Sequence, residues 1–159
     1  MKTTTCTVTQ GSISARVAGR RIDQSFPRLV TVDTNVLGDP LESCSTDPLT
    51  GFYRDGCCTS GPEDVGSHTI CAVVTREFLA HQVGVGNDLV TPRPEFGFPG
   101  LQPGDRWCVV ALRWLQAHQD GVAPPVVLAA TNSRVLDLVP LDVLSRYAAD
   151  VPADPSDLL

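Results

Sequence analysis

Apolar residues along the chain cluster in a few short runs, which are separated by stretches rich in Gly, Pro and small polar residues. The runs at 68–75, 106–110 and 125–131 are rich in β-branched side chains, which is typical of buried strands. A shorter run at 28–32 predicts one more strand. These patterns predict a small sheet rather than a helical bundle.

Three further segments carry apolar residues at helical spacing. Thr75 is placed to cap a helix that runs to about residue 83, where Gly84 and Gly86 end it. A second helix is predicted at 111–119, directly after a strand. Pro140 begins a third, which runs to about residue 149, and one short helical turn is predicted at 133–136.

Two long segments contain little but turn-forming residues. They cover residues 38–62 and 87–104, and loops of this length inside a compact domain are usually functional or fixed by their own side chains. The expected fold class is therefore α+β, a compact two-layer domain with a small sheet, about three helices and two long Gly/Pro-rich loops. We predict one domain over residues 35–150, an N-terminal extension at 1–34 that is partly disordered or forms short strands, and a frayed tail at 151–159.

Charge is distributed unevenly over the 159 residues, whose formal net charge is −6. Residues 1–28 contain five basic residues and one acidic residue, a net charge of +4, which leaves −10 for the rest of the chain. The acidic body argues against nucleic-acid binding, because contacts to phosphates need clustered Lys and Arg. The basic extension could instead contact an anionic partner, which is one functional hypothesis.

Hydropathy also bears on location. The chain has no run of about 18 apolar residues that could span a membrane, and no apolar segment follows Lys2 as in a secretory signal. We therefore predict a cytoplasmic protein. In that reducing compartment the cysteines are expected to be thiols or metal ligands rather than disulfides. A monomer and a homo-oligomer both remain open.

Cysteines are the most distinctive chemical feature of the chain. Soft thiolates together with an imidazole suit zinc or another thiophilic metal, and the acidic residues nearby could orient the imidazole. The short Cys-x(2–4)-Cys spacing of structural zinc sites is missing, which weakens this interpretation. The candidate metal ligands are Cys44, Cys57, Cys58, His68 and Cys71.

Other interpretations of the same cysteines stay open. They could be buried structural thiols that hold the first loop, or Cys44 could form a redox disulfide with Cys57 or Cys58. Alternatively, Cys57 or Cys58 is a catalytic nucleophile with His68 as its base. The remaining two are assigned no chemistry: Cys108 lies in an apolar strand and is expected in the core, and Cys6 is interpreted as incidental.

Charged residues in the two loops are candidate ligand-binding groups. The cations could hold an anionic ligand, although surface ion pairs with neighbouring acids are the simpler explanation for those in the second loop. The candidates are Arg54, Asp55, Glu63 and Asp64 in or next to the first loop, and Arg93, Glu95 and Arg106 in or next to the second.

Several long motifs resemble one known family. They include Gly51-Phe-Tyr-Arg-Asp-Gly-Cys-Cys, Gly61-Pro-Glu-Asp-Val-Gly-Ser-His-Thr, Thr91-Pro-Arg-Pro-Glu-Phe-Gly-Phe-Pro-Gly-Leu and Pro103-Gly-Asp-Arg-Trp-Cys. Over about residues 35–149 the chain resembles the uncharacterised bacterial family catalogued as domain of unknown function 2237. The resemblance implies a small two-layer α+β domain and no established activity.

The family's two loop signatures fall on the two turn-rich segments, so we expect both loops to form one pocket. The leading hypothesis is a Cys/His/acid-rich loop pocket that binds a metal, zinc being the candidate, or a small ligand. The alternatives are a thiol-dependent enzyme and an interaction module that uses the basic extension.

Overall fold

A computed structural model of the chain describes residues 4–7 and 32–150. Its sheet has two antiparallel strands, β1 (Ile70–Val73) and β2 (Arg106–Val109). The helices are α1 (Arg76–Gly84), α2 (Ala111–Gln119) and α3 (Leu141–Ser145), with short 3-10 turns at Pro94–Phe96, Leu128–Ala130 and Ser133–Asp137. The predicted fold class is confirmed: this is a small α+β domain with long loops.

The two faces of the sheet pack against different kinds of side chain. Ile70 and Ala72 of β1 lie opposite Val109 and Trp107 of β2, and these four residues belong to the main apolar core. The alternate residues of the strands point to the other face, as strand geometry requires. That face holds a second buried cluster in which cysteines replace most of the aliphatic side chains.

Helix α1 begins where its sequence predicts. The Thr75 side-chain oxygen accepts a hydrogen bond from the backbone N–H of Phe78 at 3.1 Å, which satisfies one of the free donors at the helix start. Phe78, Leu79 and Gln82 form its buried face. Helix α2 has the predicted bounds, with Trp114 buried in the core and its indole N–H donating to the carbonyl of Pro124 at 3.1 Å.

The predicted third strand at 125–131 is wrong beyond its start. Val126 makes a single antiparallel bridge to Ala72 of β1. The chain then turns into the Leu128–Ala130 segment, because the N–H groups of Leu128 and Ala129 donate to the Asp150 carboxylate at 2.8 and 2.9 Å. A side chain thus takes the hydrogen bonds that a third strand would have used.

The last helix is shorter than predicted for a related reason. Helix α3 ends at Ser145, and the chain beyond it pairs with Val126, which donates to the Tyr147 carbonyl and accepts from Ala149, both at 2.7 Å. Leu144 is buried, whereas Leu141 is exposed. The predicted turn at 133–136 is confirmed as Ser133–Asp137.

Only part of the N-terminal extension falls within the described residues. Residues 4–7 lie beside the first loop, where the Cys6 N–H donates to the Leu41 carbonyl at 2.8 Å. The predicted strand at 28–32 lies outside the described residues except for its last position, which is not in a strand. The tail at 151–159 also lies outside them, so the predicted domain bounds stay predictions.

The prediction of free thiols is wrong. Three disulfides join all six cysteines, Cys6 to Cys57, Cys44 to Cys71 and Cys58 to Cys108. Cys6, interpreted as incidental, is buried and bonded. Cys44 pairs with neither of the partners predicted for it, because the first loop crosses the sheet face that carries Cys71.

Candidate functional site

The two turn-rich loops and the sheet enclose one cavity of about 420 Å³. Both loops contribute to its wall, which confirms that they form one pocket. The wall combines two arginines, one histidine, one aspartate and four aromatic rings. Its residues are Gly51, Phe52, Arg54, His68, Asp88, Leu89, Arg93, Phe96, Phe98, Trp107 and Cys108.

Two arginines line the cavity, one from each loop. Arg54 lies over the Trp107 ring, with its guanidinium carbon 4.9 Å from the ring centroid, as in a cation–π contact. Within residues 4–7 and 32–150, neither Arg54 nor Arg93 forms an ion pair. Both cations are therefore free to receive an anion.

Arg54 has an unusual backbone. Its φ of 55° lies in the left-handed region, which costs a non-glycine residue free energy and which folds tend to retain at functional positions. The turn is built by glycines on either side, at Gly51 (φ 100°) and Gly56 (φ 85°). A Cβ atom at Gly51 would overlap the Cys57 carbonyl oxygen, so the loop can close this tightly only with glycine there.

Aromatic side chains form the apolar part of the wall. Phe98 and Trp107 meet edge to face with their ring centroids 5.3 Å apart, and both are buried. Phe52 lies on the other loop, 5.6 Å from the His68 ring. Phe96 also contributes to the wall and is 70 % exposed. The rings suit a flat apolar group.

A histidine–carboxylate pair lies at the edge of the cavity. The Nδ1 atom of His68 is 2.6 Å from Oδ1 of Asp64, whose side chain is completely buried, while the His68 side chain is 33 % exposed. The other Asp64 oxygen accepts hydrogen bonds from the His68 backbone N–H at 2.7 Å and from the Ser60 hydroxyl at 3.2 Å. Asp64 thus has partners for both oxygens.

The charge on Asp64 is stabilised by these contacts. Burial acts to raise the pKa of this carboxyl group, but the hydrogen bonds from the side chain and backbone of His68 outweigh it, and the pKa is lowered below its ordinary value. An ionised Asp64 accepts a hydrogen bond from the Nδ1–H group, so that in the neutral ring the lone pair lies on Nε2 of His68. Among the residues that the structure describes, Nε2 has no hydrogen-bond partner.

The second loop is shaped by Asp88 and Gly100. Asp88 accepts hydrogen bonds from the N–H groups of Val90 and Thr91 at 2.9 and 3.0 Å. The Thr91 side chain, together with those backbone bonds, lowers the pKa of Asp88 to about 2. A Cβ atom at Gly100 would overlap the Val90 carbonyl oxygen. The two ends of the loop therefore lie in direct backbone contact.

The inner disulfides lie close together beneath the sheet. The Sγ atoms of Cys44, Cys58 and Cys108 are within 4.8 Å of one another, and Cys71 is bonded to Cys44. Cys57 and His68, both predicted to ligate with them, do not belong to this group. In the disulfide-bonded state none of these sulfurs is a thiolate, so the arrangement could hold a metal only after reduction.

The predicted site residues separate into three groups. Arg54, His68 and Arg93 line the cavity, and Asp64 orients one of them. A second group has structural contacts in the loop: Asp55 accepts from the Cys57 N–H, and Glu63 accepts from the Tyr53 hydroxyl. The third group is exposed outside the cavity wall and consists of Glu95 and Arg106.

Sequence reasoning missed most of the aromatic wall. Phe52 and Phe96 lie in loops where a packed core gives them no obvious role, and that placement was the available signal. Trp107 belongs to the main apolar core, and its ring also supports Arg54 at the cavity.

Some properties considered from the sequence remain predictions. The interaction surface on the basic extension falls mostly at residues 8–28, outside the described residues. Within the described part, no helix is both long and apolar enough to cross a membrane. The cytoplasmic location and the oligomeric state are not tested by these findings.

Comparison with known proteins gives one result. Residues 34–148 match the family model described as "Uncharacterized protein conserved in bacteria (DUF2237)". A search of curated proteins finds no match to this chain.

Proposed function

This chain belongs to the DUF2237 family, and we propose that its two loops form a pocket that binds a small organic anion with a flat apolar body. The observation that carries the proposal is the pair of arginines, Arg54 and Arg93, which face one 420 Å³ cavity without an ion-pair partner among the described residues. A cavity of this size fits a molecule of about ten to twenty heavy atoms.

Charge and shape both support an anionic ligand. The two guanidinium groups outnumber the one carboxylate in the wall, Asp88, whose oxygen is already engaged by backbone N–H groups. Guanidinium groups bind carboxylates and phosphates through paired hydrogen bonds. The rings of Phe52, Phe98 and Trp107 would contact the apolar body of the ligand.

The strained backbone at Arg54 supports the same conclusion. Glycine would adopt this left-handed conformation at lower cost, so the arginine side chain has to contribute something that glycine lacks. Its stacking on Trp107 is one such contribution, and that contact holds the guanidinium at the wall of the cavity, where an anion can bind it.

Calorimetric titration with phenylacetate, a small aryl carboxylate, tests the proposal. We expect Arg54→Gln and Arg93→Gln each to weaken binding roughly tenfold or more, because a charge-assisted hydrogen bond contributes about 1.5–3 kcal/mol. Arg106→Gln is the matched control, since Arg106 is exposed but lies outside the wall. Absence of binding by the wild-type protein at millimolar phenylacetate and at millimolar phenylphosphate would reject the proposal.

A second candidate function rests on the sulfur cluster. We propose that reduction of the two inner disulfides produces a site for a thiophilic ion such as zinc, formed by Cys44, Cys58, Cys71 and Cys108. Three of these sulfurs already lie within 4.8 Å. A tetrahedral zinc–thiolate site, with Zn–S of about 2.3 Å, needs them about 3.8 Å apart. The ligand set differs from the predicted one, in which Cys57 and His68 replaced Cys108.

Metal content measured after gentle reduction tests this candidate. We expect one equivalent of zinc per reduced chain and less than a tenth of an equivalent per oxidised chain. The Cys6→Ser, Cys57→Ser double variant is the control, because it removes the one disulfide outside the cluster. A reduced, folded protein that takes up no zinc would reject the candidate. The same sample tests the thiol-enzyme hypothesis, since only reduction frees Cys57 or Cys58 to react with iodoacetamide.

A further inference from the structure

We propose that the pocket is also a proton-transfer site, in which His68 removes a proton from the carbon next to the carbonyl group of a bound 2-oxo acid. This inference rests on the proposed anion binding and assigns it a substrate class. Its basis is the pairing of His68 with the buried Asp64 at the wall of the cavity that holds the arginines.

The contacts of Asp64 serve to orient one imidazole. A fully buried carboxylate is costly unless it is fully hydrogen-bonded, and Asp64 accepts from Ser60 and twice from His68. Its contact with Nδ1 determines the tautomer of the neutral ring and leaves the lone pair on Nε2. Nε2 has no hydrogen-bond partner among the described residues. A histidine held in this way by a carboxylate is the usual form of a general base.

The other two histidines provide a comparison. His81 uses both ring nitrogens, one 2.7 Å from the Asp120 carboxylate and the other 3.1 Å from the Gln82 amide. His118 stacks on Trp114 and contacts the Tyr147 hydroxyl. Neither lines the cavity. His68 alone combines a buried carboxylate partner with a position at the pocket.

The backbone conformation next to His68 also suggests that the position of this side chain matters. Ser67 has a φ of 58°, so the residue that precedes the histidine is in the left-handed region, as Arg54 is. These are the two non-glycine residues with positive φ in the described residues, and they bring a base and a cation to one cavity. Strain of this kind is retained where a side chain must be held in one place.

The remaining wall groups select the substrate class. Loss of a proton from carbon leaves an enolate, whose negative oxygen needs a cation nearby, and Arg54 is available for this. The second arginine, Arg93, can hold a carboxylate. The aromatic rings accept an aryl group. A carboxylate, a carbonyl with an acidic neighbouring C–H bond, and an aryl group together describe an aryl-substituted 2-oxo acid.

The step balances without a cofactor. The Nε2 lone pair of His68 forms a bond to the proton, the C–H electron pair becomes the C=C bond, and the carbonyl π electrons move to oxygen. The imidazolium is stabilised by the Asp64 carboxylate until it returns the proton to the oxygen, which gives the enol, or to the carbon, which restores the ketone. In D₂O, the proton on Nε2 exchanges with the solvent before it is returned, so a deuteron is added to the carbon and labels the substrate.

Proton NMR of phenylpyruvate in D₂O measures this labelling. We expect wild-type protein to accelerate loss of the methylene signal well above the rate without protein, and His68→Gln to lower the catalysed rate at least tenfold, since general-base catalysis contributes about 10²–10⁴-fold. Binding of phenylpyruvate, measured by calorimetry, should change less than threefold. His81→Gln, in which a histidine outside the cavity is removed, should leave both quantities unchanged.

Asp64 acts as a positioning residue and needs its own readout. In Asp64→Asn we expect slower labelling with little change in binding, together with loss of the downfield Nδ1–H signal that the 2.6 Å hydrogen bond protects. If this variant does not fold, comparison of His68→Gln with His81→Gln still tests whether His68 is the base. Bound phenylpyruvate that exchanges only at the uncatalysed rate overturns the proton-transfer inference and leaves anion binding intact. Failure to bind phenylpyruvate overturns the proton-transfer inference, and failure to bind phenylacetate and phenylphosphate as well overturns both proposals.

Discussion

Cys71 and Cys108 lie directly opposite each other on the two paired strands, yet each forms its disulfide with a residue of the first loop instead. Their backbone N–H groups also point away from the pair, to the hydroxyls of Thr131 and Thr50 at 3.2 and 2.8 Å. The sheet therefore serves as an anchor for the loop. The third disulfide ties the same loop to Cys6.

Removal of one inner disulfide should destabilise the fold and loosen the pocket. We expect the Cys58→Ser, Cys108→Ser double variant to lose about 2–5 kcal/mol of unfolding free energy in guanidinium titrations, as removal of a native disulfide from a small domain typically does. Phenylacetate affinity should fall as well, because Arg54 loses the anchor of its loop. Peptide mapping of the native protein should find the three observed pairs; a Cys71–Cys108 linkage would contradict the structure.

Gly100 should tolerate a side chain less well than Gly97. Both have positive φ, 78° and 62°, so alanine costs each the same kind of backbone strain. Only at Gly100 does the added Cβ overlap a backbone atom, the Val90 carbonyl oxygen, while at Gly97 nothing lies within 4 Å. We expect Gly100→Ala to cost at least about 1 kcal/mol more than Gly97→Ala in thermal unfolding. Equal costs would mean that the loop does not close as described.

The Thr75 cap should be worth about 1 kcal/mol. Its oxygen accepts from the Phe78 N–H at the start of α1, so Thr75→Ala leaves that donor without its partner. Thr75→Ser keeps the oxygen and is the control. Urea unfolding should show a clear loss for alanine and a much smaller one for serine. A similar loss for both would point to the lost methyl group instead of the cap.

Asp88 should make folding sensitive to acid. Its pKa is about 2 in the folded protein against an ordinary value of 3.8, so the proton binds the unfolded chain more readily. The stabilisation is complete above about pH 5 and is lost as the pH falls from about 4 to about 2. We expect the difference in unfolding free energy between wild type and Asp88→Ala to shrink across that interval. A difference that stays constant to pH 2 would exclude this origin.

Local pattern was enough to predict the elements whose hydrogen bonds are local. Thr75 with its following apolar residues and the 111–119 segment form the expected helices, and 68–75 and 106–110 contain the two strands. Prediction failed at 125–131, where Asp150, about twenty residues further along the chain, takes the backbone donors. No window around residue 128 contains that information.

The site was predictable to the same extent. Turn density identified both loops, and residue chemistry selected Arg54, Asp64, His68 and Arg93. The cysteine pairing was not accessible, because six cysteines allow fifteen pairings and only the tertiary fold decides among them. The aromatic wall was missed because a phenylalanine in a loop has no periodic pattern, and Trp107 reads as core from sequence since it is also core.

The indole signals of the two tryptophans test the central claim most directly. Trp107 lines the cavity, whereas Trp114 is fully buried in the core, where its indole N–H donates a hydrogen bond to the Pro124 carbonyl. In ¹H–¹⁵N spectra, with Trp107→Phe to assign the peaks, titration with phenylacetate should shift the Trp107 indole N–H and leave that of Trp114 in place. Saturating ligand that moves neither signal, or moves both alike, would contradict a binding pocket between the two loops.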